Sequence, residues 1–186
     1  MNFLELMFNE IKYIQNSIIN YILYNNTKKD DKINDELIAD TINETIYRIM
    51  ELFDGYSSIK IRYLIKNINT GIIINDNIFD LHDKWYNYVY NYTSNAINTD
   101  IDGLFFDCKS VKNDILNLMI KNKEKYNNDF YAMILSLTSK TIYSIFLVID
   151  GFNSNVVKYN VIDSQNNIVL NDNNTMLHTN ILNYLL

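Results

Sequence analysis

The sequence predicts an α+β fold made by tandem duplication of an α-α-β-β-α unit. Three observations lead to this prediction: the chain aligns with itself at a fixed offset, apolar residues recur at helical spacing, and short runs alternate between apolar and polar residues. Hydrophobic residues make up 48% of the 186 residues and charged residues 20%, which is ordinary globular usage. A chain of this length and composition can bury a core of its own.

The second half of the chain repeats the first at an offset of 96 residues, without a gap. Sixteen of the 46 positions from 45 to 90 are identical to their partners, whereas roughly four or five would match by chance in so skewed a composition. We place the two units at residues 1–92 and 97–186, with a polar linker across 91–103, and expect them to pack as one domain. The matched runs are Thr45-Ile46-Tyr47 with Thr141-Ile142-Tyr143, Asp54-Gly55 with Asp150-Gly151, Asn75-Asp76-Asn77 with Asn171-Asp172-Asn173, and Leu81-His82 with Leu177-His178.

Helical spacing of apolar residues predicts the first two helices of each unit. In the first unit the second helix is expected to end at Asp54-Gly55, because glycine readily adopts the left-handed conformation that terminates helices. The residues that carry the spacing are Leu4, Met7, Phe8, Ile11, Ile14, Ile18 and Ile22 in the first helix, Leu37, Ile38, Ile42, Ile46, Ile49 and Met50 in the second, and Met133, Ile134, Leu137, Ile142, Ile145 and Phe146 in its counterpart.

A hairpin and a short helix complete each unit. Residues 59–66 alternate between apolar and basic side chains, residues 67–71 form a turn, and residues 72–74 return as a second strand. Leu81, Trp85, Tyr88 and Val89 then lie on one face of the final helix. Because a lone two-stranded hairpin is marginal in water, we expect the two hairpins to join in one central, four-stranded antiparallel sheet, covered by helices and arranged with pseudo-twofold symmetry.

Charge and composition narrow the classes of function. The net charge is −6, which disfavours nucleic-acid binding and favours a basic protein partner. Glu5 and Glu10 interrupt the apolar N-terminus that a signal peptide needs, and polar residues interrupt the most apolar stretch, 131–149. These features predict a cytoplasmic protein without a membrane segment.

His82 and His178 are the candidate catalytic or metal-binding residues, since Asp54 and Asp150 could orient their rings. Each histidine follows a leucine at a predicted helix start, and no nucleophile or zinc motif accompanies it. We therefore interpret both as structural and assign no catalytic residue, metal or cofactor. The Asn-Asp-Asn runs lack the spacing of a calcium loop and predict turns and helix N-caps.

Cys108 is the single cysteine, and the sequence places it near a predicted helix start. Lys109 and Lys112 could lower the pKa of its thiol there. We interpret it as a plain thiol.

The second helix of the first unit carries a row of carboxylates that predicts a partner-binding surface. Glu36, Asp40 and Glu44 are four residues apart, with Asp35 beside them, and Arg48 is the only cation that the helix itself offers them. Like charges at this spacing destabilise a helix by about 0.2–0.5 kcal/mol per pair. The matched positions of the second unit are Ala132, Ser136 and Lys140, so the row belongs to one unit only.

Tyr86 and Tyr90, on the outward side of the final helix, are further candidates for partner contact. The leading hypothesis is a small acidic binding protein that captures a basic protein, for example an immunity protein that neutralises a bacterial toxin. Two alternatives stay open: a small enzyme that uses the repeated His/Asp positions, and a viral host-interaction protein, which is suggested by the abundance of residues with A/T-rich codons, Asn, Ile, Tyr and Lys.

Overall fold

The computed structural model describes residues 3–26, 35–76, 80–90, 100–126, 129–152, 157–172 and 175–185. In these ranges the fold is rich in helix and contains a small three-stranded antiparallel sheet, an α+β architecture. The elements in chain order are α1 (Phe3–Asn26), α2 (Asp35–Phe53), β1 (Tyr63–Asn67), α3 (Leu81–Tyr90), α4 (Asp100–Asn122), a 3₁₀ turn (Lys123–Tyr126), α5 (Phe130–Ile149), β2 (Tyr159–Asp163), β3 (Ile168–Val169) and α6 (Leu177–Leu185).

The helices form where the apolar spacing predicts them. In α2, Ile38, Ile42, Ile46 and Ile49 are all fully buried on one face. Burial of one such side chain contributes about 1.5–3 kcal/mol, so the buried face outweighs the modest helix propensity of isoleucine. The helix ends as predicted, because Gly55 has φ +83° and its amide donates to the Leu52 carbonyl.

The sheet forms where the two halves meet. β1 pairs with β2 in an antiparallel register that places Ile65 opposite Val161, and β2 pairs with β3. Tyr63, Ile65, Tyr159 and Val161 are buried on the same face of this sheet.

The predicted four-stranded sheet is wrong in one respect. The return segment of the first hairpin contributes only an isolated bridge, between Ile73 and Lys66, rather than a strand. Its backbone bonds from Asn67 to Ile72 and from Ile74 to Ile65 are nevertheless present.

The predicted linker across 91–103 is also partly wrong. Asp100 begins α4, and Gly103 lies within its first turn, where the glycine faces the Tyr159 hydroxyl without a clash. The polar residues at 100–103 are typical of a linker, but acidic residues are also favoured in the first turn of a helix, where they interact with the helix dipole. Residues 91–99 lie outside the described residues.

The first helix of each half packs across the molecule. α1 contacts α2, α5 and α6, and α4 contacts α5, α2 and α3. Gln15 on α1 donates to Thr138 Oγ1 (3.3 Å) and Ser139 Oγ (2.8 Å) on α5, and Lys12 donates to the Leu185 carbonyl (3.1 Å). One hydrophobic cluster contains buried residues from all six helices and from β1 and β2. The unit boundaries at 92 and 97 stay a prediction.

Among the described residues, α5 is the one helix long and apolar enough to cross a membrane. More than half of its most apolar window, 56%, is buried inside the fold, as in the core helix of a soluble protein. Its buried Thr138 and Thr141 donate their hydroxyls to carbonyls of the preceding turn, which satisfies them within the core. This arrangement is compatible with a soluble protein.

Candidate functional site

Asp54, Asn75 and His82 form a buried group that we call the first polar cluster. Asp54 follows the last residue of α2, and its Oδ2 accepts a hydrogen bond from the backbone N–H of His82 at 3.0 Å. The same oxygen lies 2.8 Å from Nδ1 of the His82 ring. His82 is the second residue of α3, so a carboxylate from the end of one helix caps the start of another.

Asn75 uses its side chain as a substitute for a strand at the edge of β1. Its Oδ1 accepts from the Ile65 N–H (2.7 Å), and its Nδ2 donates to the Tyr63 carbonyl (3.0 Å). These two backbone groups point away from β2, just beyond the bond from the Ile74 N–H to the Ile65 carbonyl. The carboxamide therefore continues the hairpin bonding and also donates to Asp54 Oδ1 at 3.4 Å.

The expectation of turns and N-caps at the Asn-Asp-Asn runs is wrong for Asn75, which is fully buried and bonds to a strand. Asn77 and Asn173 lie outside the described residues.

Asp150, Asn171 and His178 form the second polar cluster with nearly the same geometry. Asp150 Oδ2 lies 3.0 Å from the His178 backbone nitrogen and 2.8 Å from its Nδ1. Asn171 accepts from the Val161 N–H (2.6 Å) and donates to the Tyr159 carbonyl (2.8 Å). Each residue of the second polar cluster is 96 residues after its counterpart in the first. The identical residues of the two halves therefore include those that connect the edge of a strand to the start of the last helix.

The surroundings of the two clusters differ. In the first, Arg62 donates to the carbonyls of Asn75 and Asp76 and forms a 3.1 Å ion pair with Asp80. The positions matched to Arg62 and Asp80 are Lys158 and Met176, so this ion pair has no counterpart.

Aromatic rings enclose both histidines. Tyr47 and Tyr56 lie 5.6 and 4.8 Å from the His82 ring, and Tyr143 and Phe152 lie 5.8 and 5.0 Å from that of His178. Each histidine is only 7% exposed. The enzymatic alternative requires that Asp and His be in contact and that both line an open cleft. The two side chains are in contact in each cluster, but the aromatic rings shield each histidine from solvent.

The Asp54 carboxyl has a raised pKa because burial penalises its charged form; its hydrogen bonds with His82 and Asn75 act in the opposite direction. Nδ1 of a neutral His82 must carry the proton to donate to this carboxylate. The Nε2 atom then lies 3.6 Å from Asp83 Oδ1. Within the described ranges, no three His, Cys, Asp or Glu residues are grouped as metal ligands.

Asp35, Glu36, Asp40 and Glu44, which we call the acidic face, lie along the outside of α2. Asp35, Glu36 and Asp40 are exposed, whereas Glu44 forms a 2.8 Å ion pair with Arg48. Arg48 also binds Glu51 at 2.8 Å, so its charge is shared. In the part of the chain that the structure describes, no side-chain hydrogen bond or ion pair joins Glu36 or Asp40 to another residue.

Arg48 is not the only cation near the acidic face. Burial lowers the pKa of Lys112 on α4, whereas the nearby Asp40 carboxylate acts in the opposite direction and favours the charged form of the lysine. Tyr86 is 56% exposed on α3, as expected, whereas the side chain of Tyr90 lies outside what the structure describes.

The predicted position of Cys108 near a helix start is wrong. It lies in the third turn of α4, fully buried, and burial raises the pKa of its thiol. The neighbouring lysines therefore do not activate it, and the interpretation as an unreactive thiol fits this environment.

The chain matches no family model, no curated protein sequence and no solved structure.

Proposed function

We propose that this chain is a small, non-enzymatic binding protein of the cytoplasm that captures a basic protein through the acidic face of α2. The observation that carries the proposal is a row of carboxylates, one helical turn apart, on the exposed side of a helix whose other side is in the core. The matched positions on α5 carry no carboxylate. An immunity protein that neutralises a cationic toxin is the specific form that we favour.

We also infer that the chain arose by tandem duplication of an α-α-β-β-α unit, with units at 1–92 and 97–186 packed as one pseudo-twofold domain. The two polar clusters support this inference, since three residues recur at an offset of 96 with contacts that agree within a few tenths of an ångström. Gly55 and Gly151 also share a positive φ, +83° and +86°. In such a protein the shared residues maintain the fold, and the residues that differ between units carry the function.

The enzymatic alternative is weaker, because its candidate residues are among those that the two units share. The Asp–His pair is present in both units, is buried under aromatic rings and caps a helix in each. A pair with these contacts has a complete structural role. We therefore place the function on the acidic face.

The test replaces Glu36, Asp40 and Glu44 with glutamine, asparagine and glutamine. A unit charge about 10 Å from a partner charge contributes about 0.15 kcal/mol at 0.1 M salt and about 0.3 kcal/mol at 0.01 M. Removing three charges should therefore slow association about twofold at 0.1 M and about fivefold at 0.01 M for each partner charge that the face meets. The unfolding free energy should change by less than about 0.5 kcal/mol, because the like-charge repulsion that is removed offsets the loss of the Glu44–Arg48 ion pair.

The partner is first obtained by affinity capture from the native organism, and association is then measured by stopped flow at both salt concentrations. The control variant, Glu5→Gln with Asp114→Asn and Glu124→Gln, removes the same charge from elsewhere. If the α2 variant associates at the native rate with the native salt dependence, the acidic face is only a solvated surface. If both variants slow association equally, net charge rather than this face is responsible.

A further inference from the structure

A cavity of about 180 Å³ lies between α1, α2 and the loop that follows α2. Glu10, Ser57 and Ser58 supply polar groups to its lining, and Ile14, Ile18 and Leu52 supply apolar groups. A cavity of about 150 Å³ accommodates a molecule of the size of benzene. This one can therefore hold a side chain of five or six non-hydrogen atoms.

Two polar groups of the cavity are buried without full compensation. Glu10 is 6% exposed, and its carboxylate accepts hydrogen bonds only from Ser58 among the described residues: the backbone N–H donates at 2.9 Å, and the hydroxyl, which has one proton, lies 2.7 Å from Oε1 and 2.8 Å from Oε2. No ion pair joins Glu10 to a cation among the described residues. The hydroxyl of Ser57, which is 8% exposed, has no hydrogen-bond partner there either. A buried carboxylate and a buried hydroxyl are costly unless water or a ligand satisfies them, so a ligand with a hydrogen-bond donor is favoured here.

The charge of the cavity selects a cation. Arg48 borders it, but the guanidinium forms ion pairs with Glu44 and Glu51, and no cation of the described residues forms an ion pair with Glu10. Tyr13 and Tyr56 also line the cavity and are 63% and 56% exposed, so their rings can receive a cation on its way to the carboxylate.

The shape and bonding favour lysine over arginine. The apolar wall suits a four-carbon stem, and an ammonium is a compact charge that needs only one acceptor oxygen. Ser58 already occupies one side of the Glu10 carboxylate with its N–H and its single hydroxyl proton, and the lone pairs that remain suit a compact ammonium.

The cavity and the acidic face belong to one surface. Arg48 joins Glu44 of the acidic face to Glu51 at the cavity, so the face leads along α2 to the cavity mouth. The positions matched to Glu10, Glu51 and Arg48 are Phe106, Leu147 and Ser144, so the second half lacks all three charges. We propose that this cavity binds the ammonium group of a lysine side chain of the basic partner, with Glu10 as its counter-ion; the source of the lysine rests on the proposed function.

The cavity is tested without the partner by titrating the full-length chain with n-butylammonium and, separately, with 1-butanol, followed by ¹H–¹⁵N NMR. Butylammonium should shift the amides of Tyr56, Ser57 and Ser58 saturably, and butanol should not. Glu10→Gln should weaken butylammonium binding about tenfold or more, since it removes a charged hydrogen-bond acceptor. Asp114→Asn, an exposed carboxylate on α4, should leave the affinity unchanged.

If Glu10→Gln does not fold, Ser57→Ala provides the second variant, because it removes a hydroxyl that has no partner to lose. It should retain the native melting temperature and weaken butylammonium binding. Equal binding of butanol, shifts that map elsewhere, or native affinity in the folded Glu10 or Ser57 variant would overturn the proposal.

The captured partner separates the two proposals. Loss of partner affinity in Glu10→Gln, together with faster dissociation, supports the lysine site. If Glu10→Gln binds the partner normally while the α2 triple variant does not, the lysine site fails and the proposed function stands. If butylammonium binds but no basic protein is captured through the α2 face, the proposed function fails and the cavity remains a cation site.

Discussion

Replacement of Asn75 by alanine tests whether its buried side chain stabilises the edge of β1. The substitution removes the carboxamide that bonds the Ile65 N–H at 2.7 Å and the Tyr63 carbonyl at 3.0 Å. Asn75 is fully buried, so solvent does not replace these bonds without a local opening. Both strand groups would be left unsatisfied in the core.

The expected loss of stability follows from these two groups. A buried backbone group left without a partner costs about 1–3 kcal/mol, so the variant should lose about 2–5 kcal/mol of unfolding free energy. For a chain of this size, each kcal/mol corresponds to about 2–4 °C, which gives a decrease in melting temperature of about 4–20 °C. Asn171→Ala should cost a similar amount, because the second polar cluster makes the same two strand bonds.

Urea unfolding and differential scanning calorimetry measure both quantities. Asn113→Ala, at an exposed position of α4, is the matched control and should change the unfolding free energy by less than about 0.5 kcal/mol. A loss below about 1 kcal/mol for both Asn75→Ala and Asn171→Ala would refute the reasoning, since it would mean that the strand edges do not depend on these carboxamides.

Two further predictions concern the histidines and the thiol. Replacing His82 and His178 together with glutamine should lower the melting temperature, because each ring loses its bond to a buried carboxylate, and should leave the affinity for a captured partner within about twofold. Loss of binding at unchanged stability would instead favour the enzymatic alternative. Cys108 should resist thiol reagents in the native protein and react fully in urea, and stoichiometric labelling of the native protein would contradict its burial.

The helices were predictable because helical spacing is a local property of the sequence. The residues assigned to the inward side of the final helix of the first unit, Leu81, Trp85 and Tyr88, are 0%, 2% and 7% exposed. The ends of α2 and α5 were also predictable from the sequence, because Asp-Gly is a local signal for a helix end and glycine tolerates positive φ.

The role of Asn75 could not be read from its neighbours along the chain. An Asn-Asp-Asn run normally makes turns, and only the position of the β1 edge, set by tertiary packing, gives its side chain two backbone groups to bond. The self-alignment of the sequence at an offset of 96 residues contains a signal for this contact. Asn75, Asp54 and His82 recur together in the second half, and residues retained as a set suggest mutual contact.

Glu10 was missed for a different reason. It lies three residues after Met7 and four before Ile14, on the apolar side of α1, so the helical spacing already places a carboxylate toward the core. A carboxylate at such a position indicates a buried charge as well as an N-terminus unlike that of a signal peptide. The alignment of the acidic face along one side of α2, in contrast, was predictable from the sequence, because its charges repeat at the helical period.

The pairing of β1 with β2 has a consequence for how the chain reaches this fold. Ile65 and Val161, which face each other in the ladder, are separated by 96 residues, and the helices between them are local structures that form quickly. Closing so long a loop has a large entropic cost before any ladder bond forms. We therefore expect the rate of folding to depend on the meeting of the two hairpins, so that a mostly helical protein folds on the slower timescale of β proteins.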